Sequence, residues 1–411
     1  MGRVPPPPDG APGPGGFPLV LLTDPGLGRR IQLQQGLVWL AAAQGDPCAA
    51  LLRGLDTDPR EYWRRLAERP LDRSATGAWV TARHAVASRA AAEPALCERP
   101  LLDGFGPSAA DGTPQDRVPA DGGDDPVIDV EQAWHRALAA VPAATGGDGG
   151  WDVVAVARAA AVEALALAWG LDADGRLELS AAVELTGGLL DASCYPQNLA
   201  DTRRIARGVT ALRALPAVGG SEERLLLAAV GVRMATDLVV NTLVRYPEAM
   251  PRQDLEALWA RLRAEPGGAA RAVAETLRWA GPVQLRTLVA QAPCELAGQR
   301  IEPGEEVVIL LGAANRDAEA FTDPDRYDPD RFAAAAPDRS DPVEAARAAR
   351  VLLPGAPSTR VLSFAAASAR EGLSRLAVLC PRPDGTGAPE RRAAAPVSRS
   401  LLSFAARTPL S

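Results

Sequence analysis

The sequence predicts a mainly α-helical fold with a minor β-sheet, and three observations support that prediction. Residues 221–245 are apolar on almost every side, which is typical of a helix buried at the centre of a large domain. Many of the other apolar residues recur with helical spacing. Alternating apolar residues mark two short strands at 285–289 and 306–311, on either side of the turn Pro303-Gly304. We therefore expect one long central helix, surrounded by shorter helices and a small sheet.

Before the central helix, periodicity and turn residues predict four helices and one strand. The first helix covers residues 26–43, and the second begins at Asp58-Pro59. The third and fourth helices cover residues 84–92 and 151–169, and the strand covers residues 78–81. Proline is favoured in the first turn of a helix, and Gly170 is a suitable end for the fourth helix.

The central helix has a clear start signal. Ser221 is a good N-cap, and two glutamates follow it in the positive first turn. Pro247 is expected just beyond the end of the helix. Arg233 and Asp237 lie four residues apart on it and are expected to pair.

The remaining chain is predicted to contain two helices and several irregular segments. A helix covers 267–279, a Pro/Asp-rich meander covers 323–331, a low-complexity insertion covers about 333–350, a last helix covers 369–379, and a strand covers 401–404.

The domain organisation is expected to be simple. Residues 1–25 are dense in proline and glycine and predict a disordered tail, and residues 26–411 predict a single domain. Residues 103–125 predict a long loop. The apolar stretch at 17–22 is too short for a signal peptide, and no run of 18 apolar residues follows. We expect a cytoplasmic protein with no membrane partner.

Composition excludes several classes of function. All 44 basic residues are arginine, which excludes a Schiff-base lysine and a Walker-type phosphate lysine. The net charge of −7 argues against nucleic-acid binding. The five cysteines are dispersed, and the chain has only two histidines. A zinc site and a histidine-based hydrolase are therefore both disfavoured. We therefore expect no metal ion.

Residues 275–332 resemble the cytochrome P450 family. Glu275-Thr-Leu-Arg278 is similar to the family's ExxR helix, and Ala314-Asn315-Arg316-Asp317 is similar to its ANRDP segment. Asp328-Pro-Asp-Arg331-Phe332 resembles the segment that completes the family's Glu-Arg-Arg triad. The resemblance implies a P450 fold, in which Glu275, Arg278 and Arg331 form a structural triad. Glu275 and Arg278 are also spaced to meet on one helical face.

The same resemblance implies that the haem site is lost. The family's haem loop, FGxGxHxC, corresponds here to 364–371, and Leu376-Ala377 fixes the register. Glu371 then occupies the position of the haem thiolate, and alanines at 365, 367 and 369 replace the loop glycines and the basic residue. Glutamate is a hard oxygen ligand, and alanine favours helix over the open loop that a porphyrin needs.

The central helix indicates the same loss. The family's oxygen-activation motif, Ala-Gly-x-(Asp/Glu)-Thr, corresponds to 230–234, where Arg233 and Met234 replace the acid and the threonine. No proton relay remains in that pattern. Cys380 lies too far along the chain to substitute for the lost ligand. We expect no haem, no cofactor and no catalytic residue.

A narrower resemblance covers residues 26–59, including Gly26-Leu27-Gly28-Arg29-Arg30-Ile31-Gln32-Leu33. It is similar to the opening of a group of P450-like proteins without the haem cysteine. These are the auxiliary proteins of macrolide and anthracycline deoxysugar glycosyltransferases, among them the partner of the erythromycin desosaminyltransferase. The resemblance implies a non-catalytic protein that binds, stabilises and activates a TDP-deoxysugar glycosyltransferase in antibiotic biosynthesis.

Two questions stay open at the level of sequence. The first helix is either a plain core helix or a docking surface for the partner, whose residues would be Leu27, Arg29, Arg30, Ile31, Gln32 and Trp39. The alternative function is an enzyme of P450 fold, with an unusual haem ligand or with haem-free chemistry in the old pocket.

Overall fold

A computed structural model describes most of the chain. The described residues are 25–55, 58–102, 105, 126–144, 150–249, 252–265, 267–333, 341–353, 359–379 and 389–406. The predicted tail at 1–25 and the predicted loop at 103–125 lie almost wholly outside them, as does Cys380.

Helices make up most of the described chain. In chain order they are α1 (Leu27–Ala43), α2 (Pro47–Arg53), α3 (Arg60–Leu66), α4 (His84–Ala92), α5 (Val130–Ala144), α6 (Val153–Ala168), α7 (Ala173–Thr186), α8 (Leu189–Ala192), α9 (Leu199–Ala214), α10 (Glu222–Leu226), α11 (Val232–Ala249), α12 (Arg252–Ala264), α13 (Gly268–Ala280), α14 (Leu311–Ala314), α15 (Pro342–Ala348) and α16 (Thr359–Leu379).

The strands are short. They are β1 (Asp72–Arg73), β2 (Trp79–Thr81), β3 (Leu96–Glu98), β4 (Trp151–Asp152), β5 (Arg286–Ala290), β6 (Cys294–Leu296), β7 (Gln299–Ile301), β8 (Glu306–Ile309), β9 (Glu390–Arg391), β10 (Leu401–Ser403) and β11 (Ala405–Ala406). The main sheet has the order β1-β2-β8-β5-β3, and three two-stranded pairs accompany it. Its β2–β8 pair is parallel, with Trp79 opposite Val307, and its other pairs are antiparallel. The prediction of a mainly α fold with a minor sheet is confirmed.

The central helix consists of α10, a π-helical turn at Leu227–Gly231, and α11. Ser221 caps it as predicted, because its hydroxyl accepts a hydrogen bond from the backbone N–H of Arg224 at 3.3 Å. The helix packs against α6, α13 and α16. Residues 222–244 are long and apolar enough to cross a membrane, but 89% of that stretch is buried within the protein. This helix is therefore a core element.

Two predicted boundaries are wrong. The central helix continues through Pro247 to Ala249, although proline removes one backbone hydrogen bond from a helix interior. The last helix begins at Thr359 instead of residue 369, since the alanines at 365, 367 and 369 continue the helix towards the N-terminus. Within the predicted insertion, residue 333 and residues 341–350 are described, and α15 there buries Val343, Ala345 and Ala346 and packs on α13 and α16.

Candidate functional site

The segment that the sequence aligns with the P450 haem loop lies in helix α16. Residues 363–371 all lie within this helix, and Ala365, Ala366 and Ala369 are fully buried in it. Alanine has the highest helix propensity, and glycine is about 1 kcal/mol less favourable per residue. The exchange of loop glycines for alanine thus accounts for a helix where the P450 pattern has an open loop.

Helix α16 packs directly on the central helix. A side-chain carbon on Gly231 would lie only 3.1 Å from Cδ1 of Phe364, so the two helices touch at the level of the former oxygen-activation motif. A haem held at position 371 and activated at 233–234 would have to lie between these helices. Phe364 packs against Gly231 at that level instead.

Trp134 of α5 also packs directly on α16. Its indole N–H donates to the carbonyl oxygen of Ser368 at 2.8 Å, and the side chain is almost fully buried. Its ring lies against Gly372 so closely that any side chain at 372 would collide with it. Tryptophan therefore fills the space next to position 371.

Glu371 is paired with an arginine. Its carboxylate accepts a hydrogen bond from Nε of Arg375 at 2.5 Å, and Arg375 also contacts Glu131 of α5 at 3.1 Å. The described residues contain no group of three or more histidine, cysteine or acidic side chains that could hold a metal ion. Burial raises the pKa of the Cys48 and Cys194 thiols, so neither is a ready thiolate. The Glu371 carboxylate and the Cys48 and Cys194 thiols are therefore poorly suited to bind a haem iron.

Arg233 has a structural partner in place of a proton relay. Its guanidinium donates to both carboxylate oxygens of Asp237, at 2.6 and 3.0 Å, and to the carbonyl oxygen of Leu401 at 2.9 Å. Ser400 donates to the same carboxylate at 2.8 Å. Met234 is buried in the core. This former catalytic position now joins the central helix to β10.

Glu275, Arg278 and Arg331 lie together, but Arg278 contacts Glu275 more closely than Arg331 does. Arg278 donates to both oxygens of Glu275, at 2.7 and 2.8 Å, and both side chains are fully buried. Arg278 also donates to the carbonyl oxygens of Asn315, Pro324 and Arg326. Arg331 is more distant, with Nε 3.8 Å from Glu275. Burial raises the pKa of Glu275, and Arg278 opposes that shift.

The proposed docking segment on α1 is divided by burial. Leu27 and Ile31 face the core in a buried stripe that follows the helical period, which fits the plain core helix that the sequence left open for these two residues. Arg29, Gln32 and Trp39 are exposed. Sequence reasoning missed three exposed leucines on the same helix, Leu33, Leu37 and Leu40. Their i, i+4, i+7 spacing was the available signal.

A thiolate at position 371 is not expected to restore haem binding. Glu371→Cys should purify colourless, without a Soret band, because residues 364–371 are helical and Phe364 packs against Gly231 of the central helix, at the level where the macrocycle would lie. Glu371→Ala serves as the control and should keep its stability within about 1 kcal/mol, since it loses one partly exposed ion pair. A red Glu371→Cys protein with stoichiometric haem would contradict this prediction.

Comparison with known proteins identifies the family. The sequence model of the cytochrome P450 family matches residues 269–344. The chain is 34% identical to "Protein DesVIII" of Streptomyces venezuelae, covering 93% of this chain and 94% of the relative. It is 34% identical to "Protein AknT" of Streptomyces galilaeus, over 75% of this chain and 82% of the relative. It is 32% identical to "Cytochrome P450 family protein EryCII" of Saccharopolyspora erythraea, over 91% and 96%.

Solved structures agree on the fold. Epothilone B-bound cytochrome P450epoK matches with a TM-score of 0.65 at 18% identity, covering 86% of this chain and 97% of that one. Open cytochrome P450 EryK from S. erythraea matches with a TM-score of 0.65 at 19% identity, covering 85% and 95%. The resemblance inferred from the sequence is confirmed by these findings. The chain belongs to the cytochrome P450 family, with EryCII, DesVIII and AknT among its relatives.

Proposed function

We propose that this chain is a non-catalytic, cytoplasmic auxiliary protein that binds, stabilises and activates a TDP-deoxysugar glycosyltransferase. One observation carries the proposal: the P450 fold persists while α16 packs on the central helix where a haem would lie. A protein that keeps this fold without the cofactor site acts by presenting its surface to a binding partner. The kinship with AknT, DesVIII and EryCII supports the identity of the partner class.

The exposed side of α1 supplies a surface for that partner. Leu33, Leu37 and Leu40 are 63%, 67% and 48% exposed and follow one face of the helix, which we call the α1 leucine stripe. Such a stripe suits an apolar groove on the partner, in the way amphipathic helices are recognised. A stable complex buries roughly 1,200–2,000 Å², so the stripe forms only part of the interface.

The direct test is co-expression with a TDP-deoxysugar glycosyltransferase from the same organism. The two chains should co-purify in a fixed ratio, and the transferase should melt at a higher temperature and turn over faster in the complex. A partner that binds only the folded transferase stabilises it by about 2.7 kcal/mol when free partner exceeds its dissociation constant a hundredfold. Equal activity and melting temperature with and without this protein would refute the proposal.

A visible spectrum tests the alternative, an enzyme that uses a haem with an odd ligand. The purified protein, reduced and exposed to carbon monoxide, should show no Soret band at stoichiometric intensity. A strong band would favour the enzyme over the auxiliary protein.

Changes in the α1 leucine stripe should weaken the complex selectively. Leu33→Gln/Leu37→Gln removes apolar area worth about 1.5–3 kcal/mol per buried side chain, so affinity for the transferase should fall at least tenfold. Leu177→Gln is the matched control, because Leu177 is 70% exposed on α7, away from the stripe. If both variants bind as tightly as the unchanged protein, the stripe is not part of the interface.

A further inference from the structure

A small cavity lies beside the central helix, at the level of Arg233. Its volume is about 70 Å³, and four arginines line it: Arg158, Arg204, Arg233 and Arg392. They come from α6, α9, α11 and β9–β10, and no two of them are neighbours in sequence. Pockets for drug-sized ligands hold roughly 300–1,000 Å³, so this one suits only a very small group.

Three of the four arginines already have an acidic partner. Arg158 pairs with Glu184, Arg233 with Asp237 at 2.6 Å, and Arg204 with Asp201 at 3.3 Å. Within each pair, the positive and negative charges neutralise each other. The positive charge that remains in the cavity is the fourth arginine.

Arg392 has no ion pair and no side-chain hydrogen bond among the described residues, and its Nε is buried without an acceptor. Nε of Arg204, on the same cavity, is likewise buried without an acceptor. Burial lowers the pKa of Arg392, Asp191 opposes that shift, and Arg204 and Arg233 add to it. Asp191 itself is occupied by the backbone N–H groups of Val397 and Ser398.

The backbone is shaped to admit this side chain. The guanidinium of Arg392 lies against Gly187 and Gly188, and any side chain at Gly188 would collide with it. Buried polar groups nearly always have hydrogen-bond partners, and a guanidinium prefers the paired oxygens of a phosphate or a carboxylate. Nε of Arg392 and Nε of Arg204, from two residues that line one small cavity, both lack an acceptor among the described residues, which is consistent with a site for an anion.

We propose that this cavity binds a phosphate-type oxyanion, held by Arg392 and Arg204 and supported by Arg158 and Arg233. The group is either free inorganic phosphate or the terminal phosphate of a nucleotide. The site is independent of the proposed glycosyltransferase partner, and it uses as a wall the arginine that replaced the catalytic acid of the P450 pattern.

The test is a thermal titration of the full chain, alone, with inorganic phosphate at constant ionic strength. The melting temperature should rise and then saturate, whereas sodium chloride should produce no saturable rise. A parallel titration with thymidine diphosphate separates the two sources: saturation at lower concentration with the nucleotide assigns the site to an esterified phosphate, and the reverse assigns it to the free ion. No saturable rise with either would overturn the proposal.

Arg392→Gln distinguishes a binding site from a structural role. The variant should need at least tenfold more phosphate for the same shift, and Arg392→Lys should fall between, because lysine keeps the charge and loses the two-pronged geometry. The phosphate response of Arg392→Gln is compared with its own melting temperature without phosphate, because Arg392 also lies near the buried Asp191, where burial raises the pKa of the carboxyl and Arg392 opposes that shift. Arg300→Gln, an exposed arginine on β7, is the control and should titrate normally. A phosphate response of Arg392→Gln equal to that of the unchanged protein would refute the site.

Discussion

Arg278→Ala is expected to abolish soluble folding. Arg278 and Glu275 are both fully buried, and removal of the arginine leaves the Glu275 carboxylate without its counter-charge. The carbonyl oxygens of Asn315, Pro324 and Arg326 lose a donor at the same time. Breaking a buried pair in this way costs about 3–5 kcal/mol, a large share of the stability of an ordinary domain. The measurements are soluble yield and urea unfolding.

Two further variants make this prediction specific. Arg331→Ala should cost less, because Arg331 is partly exposed and lies 3.8 Å from Glu275. Glu275→Leu/Arg278→Met should recover much of the lost stability, since an apolar pair removes the unpaired charge. A soluble and fully stable Arg278→Ala protein would show that the ion pair does not hold the helix to the meander.

Trp134→Ala is expected to have the second largest effect. The indole fills the space between α5 and α16 beside Gly372, and its N–H satisfies the carbonyl oxygen of Ser368. Truncation of a buried tryptophan costs about 3–5 kcal/mol, through lost burial and the cavity that remains. The free energy of unfolding in urea measures that loss.

Trp134→Phe is the matched control for this variant. It keeps an aromatic ring in the space and removes the N–H donor, so its cost should be closer to 1–3 kcal/mol. If Trp134→Ala were as stable as Trp134→Phe, the tryptophan ring would not be filling the space between α5 and α16.

Much of the architecture was predictable because it depends on local signals. Helix α4 has the predicted bounds, His84–Ala92, and Ser221 caps the central helix as expected. Helix α2 was missed although Asp46 and Pro47 form a good start signal, because seven residues contain too little periodicity to detect. Helix α9, with Asn198 as its cap and a stripe through Ile205 and Val209, had readable signals that were not assigned.

The candidate site residues also differ in how far they could be predicted from the sequence. Glu371, Arg233 and Met234 could be found by register against a family pattern. The burial of Leu27 and Ile31 required the position of α1 against its neighbours. The arginine cavity could not be predicted, since its four arginines come from distant segments and nothing local distinguishes Arg392 from the other arginines of the chain.

The parallel pairing of β2 with β8 has a consequence for how the chain is made. Trp79 hydrogen-bonds to Glu305, 226 residues later. At synthesis rates of about 5–20 residues per second, β2 waits roughly 10–45 s on the ribosome before its partner strand emerges. During that interval the strand has an open edge, which is a template for pairing with other chains. The yield of this protein should therefore depend on chaperones and on the speed of translation as much as on the stability of the finished fold.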